Sequence, residues 1–451
     1  MSYSNGLNFL ETHTKVLELS NEFGARIAVC PHWNGRVMTS TCTGLDGDSY
    51  GLIDVSAIES QKTKDASSAG FGGENHFTLA PDGGPFSVYY STEESTISEF
   101  SSEPEGVTVP TGFTEGPFEV DINDPARAIR MRRSLSLTNI SGAKFDLNVI
   151  RSIRILSDSD LSEVFPSASL VALEHPEVSF VSYETVNTLV NTGTPFSRNS
   201  GLLSIRLRCM LNAAPFSTMV IPYRPGNEDE LGPPIQSDFF GHSSRKKLHL
   251  LPEVAILRAD GLTRGIVGVS RRRALPYCAA IDFRSGVLTI INFNLPMQPS
   301  ACAYMSNEFF ETRGPASQPD FVSMREHYIR NLAEQQDAGR TATPTSGERP
   351  NSLPQFQNKL TSLAKEIREN DPYAGEVVRA YNHGPLFIHA ENPIPYFELD
   401  TFSPARELKK GESLTHTQYT THICADSKTL GYLARTILKI DVSRIYEKML
   451  T

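Results

Sequence analysis

Tryptophan and long apolar runs are nearly absent from this chain. A single tryptophan, Trp33, occurs in 451 residues, and no stretch approaches the roughly 18 to 20 apolar residues that a membrane-spanning helix requires. The first thirty residues do not combine a basic start with an apolar run, so no signal peptide is predicted. We therefore expect a soluble, cytoplasmic protein with no membrane partner.

Cysteine is present but is not arranged for metal binding. The six cysteines are scattered, without a CxxC pair or a zinc-like spacing, which predicts reduced and mostly buried thiols. The signatures of phosphate-binding loops, dinucleotide-binding folds, zinc proteases and serine hydrolases are also missing. A calcium-type start at Asp46 lacks later ligands, because Tyr50 and Ala57 stand where the loop needs carboxylate or amide side chains. The sequence thus predicts neither a metal nor a cofactor.

Positive charge is in deficit. Lysine and arginine number 42 against 52 aspartates and glutamates, a formal net charge of −10. Nucleic acids and anionic membranes favour a net basic surface, so neither is an expected partner. Small anionic ligands stay open, because basic runs occur at 245–247 and 271–273, although such runs are more often solvated surface.

Alternation of apolar and polar residues dominates the chain and predicts β-strands. In 203–211 and 145–155 nearly every second residue is apolar, which directs one set of side chains to a core and the other set outward. Helical patterns do not follow each strand, as a parallel βαβ fold would require. We therefore predict an all-β fold, a large β-sandwich. Further strand-like runs are 86–90, 118–122, 135–138, 179–182, 287–293, 386–389 and 413–423.

Helical periodicity is confined mainly to the later part of the sequence. Apolar residues recur at helical spacing twice within 306–375, on either side of a polar, proline-bearing stretch. We interpret 306–375 as a helical and loop insertion in a single domain that spans 1–451. Two short helices are predicted near the carboxyl end, one after Asp426 or Ser427 and one capped by Asp441.

A glycine-rich segment, 71–84, is one candidate binding element. Its four glycines permit tight turns and a close approach of the backbone to a ligand. Glu74, Asn75 and His76 lie between them and can donate and accept hydrogen bonds toward hydroxyl groups. A pair of tight turns with solvated polar tips explains the same pattern equally well.

Two carboxylates on a predicted strand are the main catalytic candidates. Glu398 and Asp400 are two residues apart, so they share one face of the strand. Repulsion between neighbouring carboxylates can raise one pKa enough for a general base, whereas a solvent-facing acidic strip is the simpler interpretation. Histidines that can serve as an acid partner include His76, His242 and His383, of which His383 lies close in sequence to the acidic strand.

Three segments resemble a known superfamily. The stretch FELDTFSPARELKKGESLTHTQYTTHI resembles the C-terminal strand pair of galactose mutarotase-like (aldose 1-epimerase-like) proteins, and RSLSLTNISGAKFDLNV resembles their central strand pair. The stretch GGENHFTLAPDGG resembles the glycine-rich segment of a bacterial branch of that superfamily. Further similarity covers most of the chain, with 306–370 the least matched. The resemblance implies a β-supersandwich whose concave face holds sugars.

The resemblance also implies roles for individual residues. Mutarotases open and reclose an aldose ring with a glutamate base on a late strand and a histidine acid. Glu398 or Asp400 would be the base, with Glu398 preferred, and His242 or His76 would be the acid. The acid motif of the superfamily, a histidine with asparagine and serine neighbours, is not evident here. Substrate-binding roles are implied for Arg36, Glu74, Asn75, Asn382 and His383.

Two classes of function stand beside an aldose 1-epimerase-like isomerase. A protein that kept the cleft and lost the acid would bind or sense a carbohydrate without turnover. A lyase or hydrolase acting on an oligosaccharide is the third hypothesis, because this fold also hosts those activities. All three share a sugar or sugar derivative as the ligand.

Overall fold

The computed structural model of the protein describes residues 1–60, 70–81, 87–88, 117–139, 142–166, 175–198, 200–236, 247–262, 265–295, 375–384, 394–440 and 445. The predicted insertion at 306–375 lies outside these residues except for Gly375. The predicted strand at 386–389 and the helix at Asp441 also lie outside them.

An antiparallel sheet of ten strands is the largest element. Its strand β7 alternates between buried residues such as Leu147 and Val149 and exposed residues between them, as the period-two pattern predicts. The spatial order of the strands is β12-β13-β11-β15-β16-β19-β8-β7-β6-β5. Their bounds are β5 Glu119–Asp124, β6 Ala128–Thr138, β7 Lys144–Ile155, β8 Ser179–Asn191, β11 Thr218–Pro222, β12 Leu248–Leu251, β13 Val254–Arg258, β15 Tyr277–Asp282, β16 Val287–Phe293 and β19 Ser413–Cys424.

A second antiparallel sheet has six strands and carries both predicted catalytic carboxylates. Five of its strands follow the spatial order β14-β17-β18-β9-β4, and β10 continues along β18. The bounds are β4 His76–Ala80, β9 Ser204–Arg208, β10 Met210–Asn212, β14 Gly265–Ser270, β17 Glu376–Asn382 and β18 Tyr396–Phe402.

A small three-stranded sheet and a few helices complete the described chain. The last strand of this sheet reaches the six-stranded sheet through a bridge between Val37 and Asn75. Among the described residues no helix has the length and hydrophobicity that a membrane crossing needs. The bounds are β1 Leu17–Ser20, β2 Arg26–Cys30, β3 Arg36–Thr41, α1 Tyr3–His13, α2 Val55–Ser60, α3 Glu228–Leu231 and α4 Ser427–Leu438, with a short 3-10 helix at Asp160–Glu163.

The main core lies between the two large sheets. Phe77, Leu207 and Leu399 of the six-stranded sheet join Val149 and Leu189 of the ten-stranded sheet in one buried apolar cluster. Burial of such side chains from water is the dominant stabilising contribution to a sandwich. The predicted all-β sandwich is therefore confirmed.

The helix α4 covers the opposite face of the ten-stranded sheet. Its Leu430 and Leu433 pack against Leu288 and Ile290 of β16. Asp426 caps the helix by accepting hydrogen bonds from the backbone N–H groups of the first turn, so this predicted start is confirmed. The helix α1 was not among the sequence predictions.

One part of the strand prediction is wrong. The alternation in 203–211 is confirmed, because Ile205 and Leu207 enter the core. The polar set was expected to face outward, yet Arg206 and Arg208 are each only 8% exposed. Their guanidinium groups are stable in this position because they pair with carboxylates of the neighbouring strand β18.

Candidate functional site

The two carboxylates of β18 are held by two arginines of β9. Nε and Nη2 of Arg206 donate to Oδ2 of Asp400 at 3.0 and 2.6 Å. Nε and Nη2 of Arg208 donate to Oε2 and Oε1 of Glu398 at 3.2 and 2.5 Å. Arg206 Nη2 also lies 3.6 Å from Glu398 Oε2, so the two pairs form one network. Removing any one member would leave a buried charge uncompensated.

Asp400 differs from Glu398 in having one carboxylate oxygen that accepts no hydrogen bond from the described residues. Both oxygens of Glu398 accept from Arg208, whereas Oδ1 of Asp400 is buried and has no hydrogen-bond partner among the described residues. Burial raises the pKa of Asp400 to about 6; the Arg206 guanidinium opposes this shift and the Glu398 carboxylate adds to it. Asp400 therefore has a basic lone pair and changes protonation near neutral pH.

His76 lies opposite Arg208 on the edge strand β4, and its ring is held in one protonation state. Its Nε2 lies 3.1 Å from Nη2 of Arg36, and a guanidinium can only donate, so Nε2 carries no proton. Burial lowers the pKa of His76 well below its usual range, and the surrounding arginines lower it further. The ring is neutral, with its proton on Nδ1, which is buried without a partner among the described residues. It is a hydrogen-bond donor through Nδ1.

Tyr381 and His383 extend the same surface on the other side of Glu398. Tyr381 lies directly opposite Glu398 in the ladder between β17 and β18. Its Oη is 2.8 Å from Nδ1 of His383, and the His383 ring stacks on Tyr396 with centroids 4.3 Å apart. Tyr381 thus lies across the ladder from Glu398, and its hydroxyl is held at His383.

Neighbouring strands bring these side chains to one side of the sheet. In register, His76 faces Arg208, and Asp400 faces Arg379 of β17, whose Nε donates to Glu376 Oε1 at 2.8 Å. The opposite side of the same strands enters the core. We call this surface the polar face, and define it as His76, Arg206, Arg208, Arg379, Tyr381, Glu398 and Asp400.

Two predicted substrate-binding residues lie in the interior instead. The Glu74 carboxylate is completely buried, with Oε2 3.6 Å from Nε2 of His422 on the ten-stranded sheet. The Asn75 side-chain oxygen accepts from Nη2 of Arg151 at 2.5 Å. Both side chains therefore face the ten-stranded sheet, away from Glu398 and Asp400, and we assign them no place on the polar face.

Of the other predicted residues, Arg36 lies at the polar face, Asn382 stabilises a turn on the other side of the sheet, and His242 is not described. Arg36 stands at the β4 edge of the polar face, where its guanidinium holds His76 and the carbonyl oxygen of Gly72. Asn382 points to the other side of β17, where it accepts from the backbone N–H of Gly261 at 2.9 Å and so fixes a turn. His242 lies outside the described residues.

Three candidate functional residues were not predicted from the sequence, namely Arg206, Arg208 and Tyr381. The even spacing of the two arginines inside an apolar alternation was a usable signal, because it places both guanidinium groups on one face of a strand. Tyr381 carried no comparable signal. Its position depends on the pairing of β17 with β18, which sequence spacing does not reveal.

The glycines at the start of the glycine-rich segment serve the backbone packing. A Cβ at Gly72 would meet the backbone oxygen of Leu52 at 2.2 Å, and one at Gly73 would meet the backbone oxygen of Val37 at 3.1 Å. These glycines let the chain pass close to other backbone just before β4. The expected solvated polar tips are not found in this half of the segment, because Glu74 and Asn75 are fully buried. Residues 82–86 lie outside the described part of the chain.

Replacing Gly72 with alanine is expected to destabilise the protein by at least about 3 kcal/mol, because a positive φ of 92° and a backbone clash act together. Gly411 is the matched control, since it has a φ of 84° with open space around it. Gly411→Ala should cost only about 1 kcal/mol. Urea unfolding of both variants measures the difference, and equal losses would show that the contact with Leu52 is unimportant.

Comparison with known proteins identifies a family and several distant structures. The model of a family of unknown function, DUF6786, matches residues 1–322 and 353–449. No curated protein was matched by the sequence.

Three solved structures are similar to this chain at low sequence identity. A protein of Escherichia coli K12, provisionally named an aldose 1-epimerase, has a TM-score of 0.43 and 8% identity, covering 90% of this chain and 98% of its own. A protein of Synechocystis sp. PCC 6803 has a TM-score of 0.43 and 10% identity, covering 92% and 96%. A 4-alpha-glucanotransferase of Thermococcus litoralis has a TM-score of 0.36 and 7% identity, covering 91% and 39%.

Proposed function

Since the chain belongs to the DUF6786 family of unknown function, we propose a function from the chemistry of the polar face: it binds a sugar or sugar derivative and interconverts its anomers. The observation that carries this proposal is the buried Asp400, which has one carboxylate oxygen without a partner in the described structure and a pKa raised to about 6. A group of this kind is suited to act as a general base at neutral pH.

In the proposed reaction, Asp400 Oδ1 takes the proton of the anomeric hydroxyl. The electron pair left on that oxygen forms a carbonyl at C1, the bond from C1 to the ring oxygen breaks, and the ring oxygen takes a proton. Rotation about the bond from C1 to C2 then presents the other face of the carbonyl. Closure by the reverse steps yields the other anomer with atoms and charge balanced.

Tyr381 is the proposed proton donor to the ring oxygen. His76 does not suit this role, because its Nε2 already accepts from Arg36 and its pKa is lowered far below neutrality. When His383 carries its proton on Nδ1, it donates to Tyr381 Oη and so orients the tyrosine hydroxyl. Glu398 then serves mainly to hold Arg208 and to raise the pKa of Asp400.

A carbohydrate-binding protein without turnover is the second candidate. It is favoured by the pairing of both carboxylates with arginines, because such pairs orient hydroxyl groups well and resist proton transfer. This candidate predicts saturable sugar binding with unchanged anomer exchange.

Exchange between α and β anomers, followed by NMR on a panel of aldoses and charged aldose derivatives, tests the proposal. Acceleration by the wild-type protein supports an isomerase. Saturation transfer to a sugar without acceleration supports the binding protein. Release of new reducing ends from an oligosaccharide would instead support a lyase or hydrolase.

The pH profile of anomer exchange should report the protonation of the Asp400 carboxylate. Only the ionised carboxylate takes a proton, so kcat/KM should fall about tenfold per pH unit below the pKa of about 6 and level off above it. In Glu398→Gln the acidic fall of kcat/KM should move to lower pH, because the Glu398 charge raises the pKa of Asp400 in the wild-type protein. A profile that is flat between pH 5 and 7 would contradict the assignment of Asp400.

Tyr381→Phe is expected to lower kcat about 100-fold, the usual contribution of a positioned acid, with a small change in KM. Tyr419→Phe, on the ten-stranded sheet, is the control for the loss of one tyrosine hydroxyl. NMR exchange rates at saturating sugar measure both variants. Full activity in Tyr381→Phe would remove the tyrosine from the mechanism.

A further inference from the structure

Two cysteines from different sheets meet near one tyrosine hydroxyl. Cys42 directly follows β3 of the three-stranded sheet, and Cys424 is the last residue of β19 in the ten-stranded sheet. The Cys42 thiol donates to the backbone carbonyl oxygen of His422 at 3.3 Å, two residues before Cys424 on the same strand. Tyr50 Oη lies 2.7 Å from Cys424 Sγ. The fold therefore places two thiols from opposite ends of the sequence side by side.

Hydrogen bonds at this cluster favour the ionised form of Cys424. The Cys42 hydrogen, which the carbonyl oxygen of His422 otherwise accepts, lowers the pKa of Cys424, although burial opposes the shift. The Tyr50 hydroxyl also lowers this pKa, and the Asp48 carboxylate raises it. Burial raises the pKa of Tyr50 far above its usual range, so its hydroxyl keeps its proton. The Tyr50 ring stacks on His422 with centroids 4.5 Å apart, which fixes the hydroxyl in place.

Cys424 is also the most accessible of the thiols that the structure describes. Its side chain is partly exposed, whereas Cys30, Cys209 and Cys278 are completely buried. Burial raises the pKa of each of these three thiols, so they stay protonated and inert. Partial exposure and a lowered pKa thus coincide at Cys424.

A cavity of about 300 Å³ lies next to the thiol pair. Tyr50 forms part of its wall, and so does Val287, which lies opposite Cys424 in the ladder between β16 and β19. Hydrogen peroxide is little larger than water and fits such a space. The cavity therefore offers a small oxidant a place near Tyr50, in addition to the exposed part of Cys424.

We propose that Cys42 and Cys424 form a reversible oxidation site, at which hydrogen peroxide converts the two thiols into a disulfide. A partly exposed cysteine that stands beside a second thiol is the usual arrangement of a redox-sensing pair. The inference is independent of the proposed function, because neither cysteine belongs to the polar face.

The oxidation proceeds in two steps. The Cys424 thiolate attacks one oxygen of hydrogen peroxide, the O–O bond breaks, and the released hydroxide combines with the proton lost by Cys424 to form water. Cys424 is then a sulfenic acid. The Cys42 sulfur attacks the sulfenic sulfur, the S–S bond forms, the S–O bond breaks, and hydroxide leaves with the Cys42 proton as a second water. The two thiols together lose two electrons, which reduce the peroxide.

The disulfide would connect the chain after β3 to the end of β19. Because it closes a loop that contains most of the chain, it should restrict the unfolded state and raise the midpoint of urea unfolding. Reduction by dithiothreitol should restore the original midpoint.

Peptide mapping under non-reducing conditions tests the site on the wild-type protein after treatment with hydrogen peroxide. We expect linked peptides that contain Cys42 and Cys424, and their separation by dithiothreitol. Mapping is preferable to a count of thiols, because Cys302 lies outside the described residues. No reaction, oxidation that spares this pair, or a link from Cys424 to another cysteine would each overturn the proposal.

Cys42→Ser removes the second thiol and keeps a hydrogen-bond donor beside Cys424. Dimedone, which traps sulfenic acids, should label Cys424 about tenfold more in this variant than in the wild-type protein, because no neighbouring thiol consumes the sulfenic acid. Cys278→Ala is the control, since it also removes one buried thiol and should leave the disulfide and the low labelling unchanged.

Circular dichroism confirms the folding of both variants. Equal labelling of Cys424 in Cys42→Ser and in the wild-type protein would show that Cys42 does not react with the sulfenic acid, and would overturn the proposal. If Cys42→Ser does not fold, the mapping of the wild-type protein decides by itself.

Discussion

Asp400→Asn is expected to lower kcat/KM for anomer exchange by about 10²- to 10⁴-fold, the range that a positioned general base contributes. The amide keeps the size of the side chain but cannot accept the anomeric proton. Its oxygen can still accept from Arg206, and the arginine charge keeps Glu398 Oε2 at 3.6 Å, so the variant should fold with reduced stability. Substrate affinity should change little, because the loss concerns proton transfer rather than binding.

Glu398→Gln is the matched comparison on the same strand. Both Glu398 oxygens already accept from Arg208, so we expect a loss of about tenfold or less, arising from the altered arginine and the lowered pKa of Asp400. A larger loss in Glu398→Gln than in Asp400→Asn would transfer the base role to Glu398, which the sequence resemblance preferred. Unchanged exchange in both variants would remove the carboxylate pair from the mechanism.

Arg151→Met is expected to destabilise the fold by about 3 to 5 kcal/mol, although Arg151 does not belong to the polar face. Its guanidinium donates to Gly35, Asn75 and Asn187, and so ties the segment before β4 to the ten-stranded sheet. The methionine fills the space but leaves buried acceptors unpaired, at about 1 to 3 kcal/mol each. Denaturant unfolding, followed by circular dichroism, measures this loss.

Arg154→Met is the control three residues along the same strand. Arg154 is partly exposed and pairs with Glu184 and Asp160, so its replacement should cost no more than about 1 kcal/mol. Similar stability of the two variants would show that the interior bonds of Arg151 contribute little. A loss of sugar binding in Arg151→Met at temperatures where it is folded would show that this tie also positions His76.

Much of the strand pattern was predictable because β-structure has a period of two. The runs at 145–155, 287–293 and 413–423 all lie in strands of the ten-stranded sheet. The same period placed Glu398 and Asp400 on one face of β18. The start of α4 followed from its capping residue.

Which face of each strand meets which partner was not predictable from spacing. Neighbouring residues on a strand point to opposite sides, so Tyr381 stands beside Glu398 whereas Asn382 reaches Gly261. The choice between these sides depends on the pairing of β17 with β18. Glu74 shows the same limit, since its neighbour His76 belongs to the polar face while Glu74 itself meets the ten-stranded sheet.

The sequence by itself determined the all-β class, several of the described strands and the presence of two carboxylates on one strand face, because these depend on local periodicity and residue type. Only the tertiary structure decided which groups those carboxylates pair with and which of them has a raised pKa. It brings Arg206 and Arg208, nearly 200 residues away along the chain, into contact with Asp400 and Glu398. The physical reason is that burial and pairing set the charge state of an ionisable group, and both are properties of the packed sheet rather than of the strand alone.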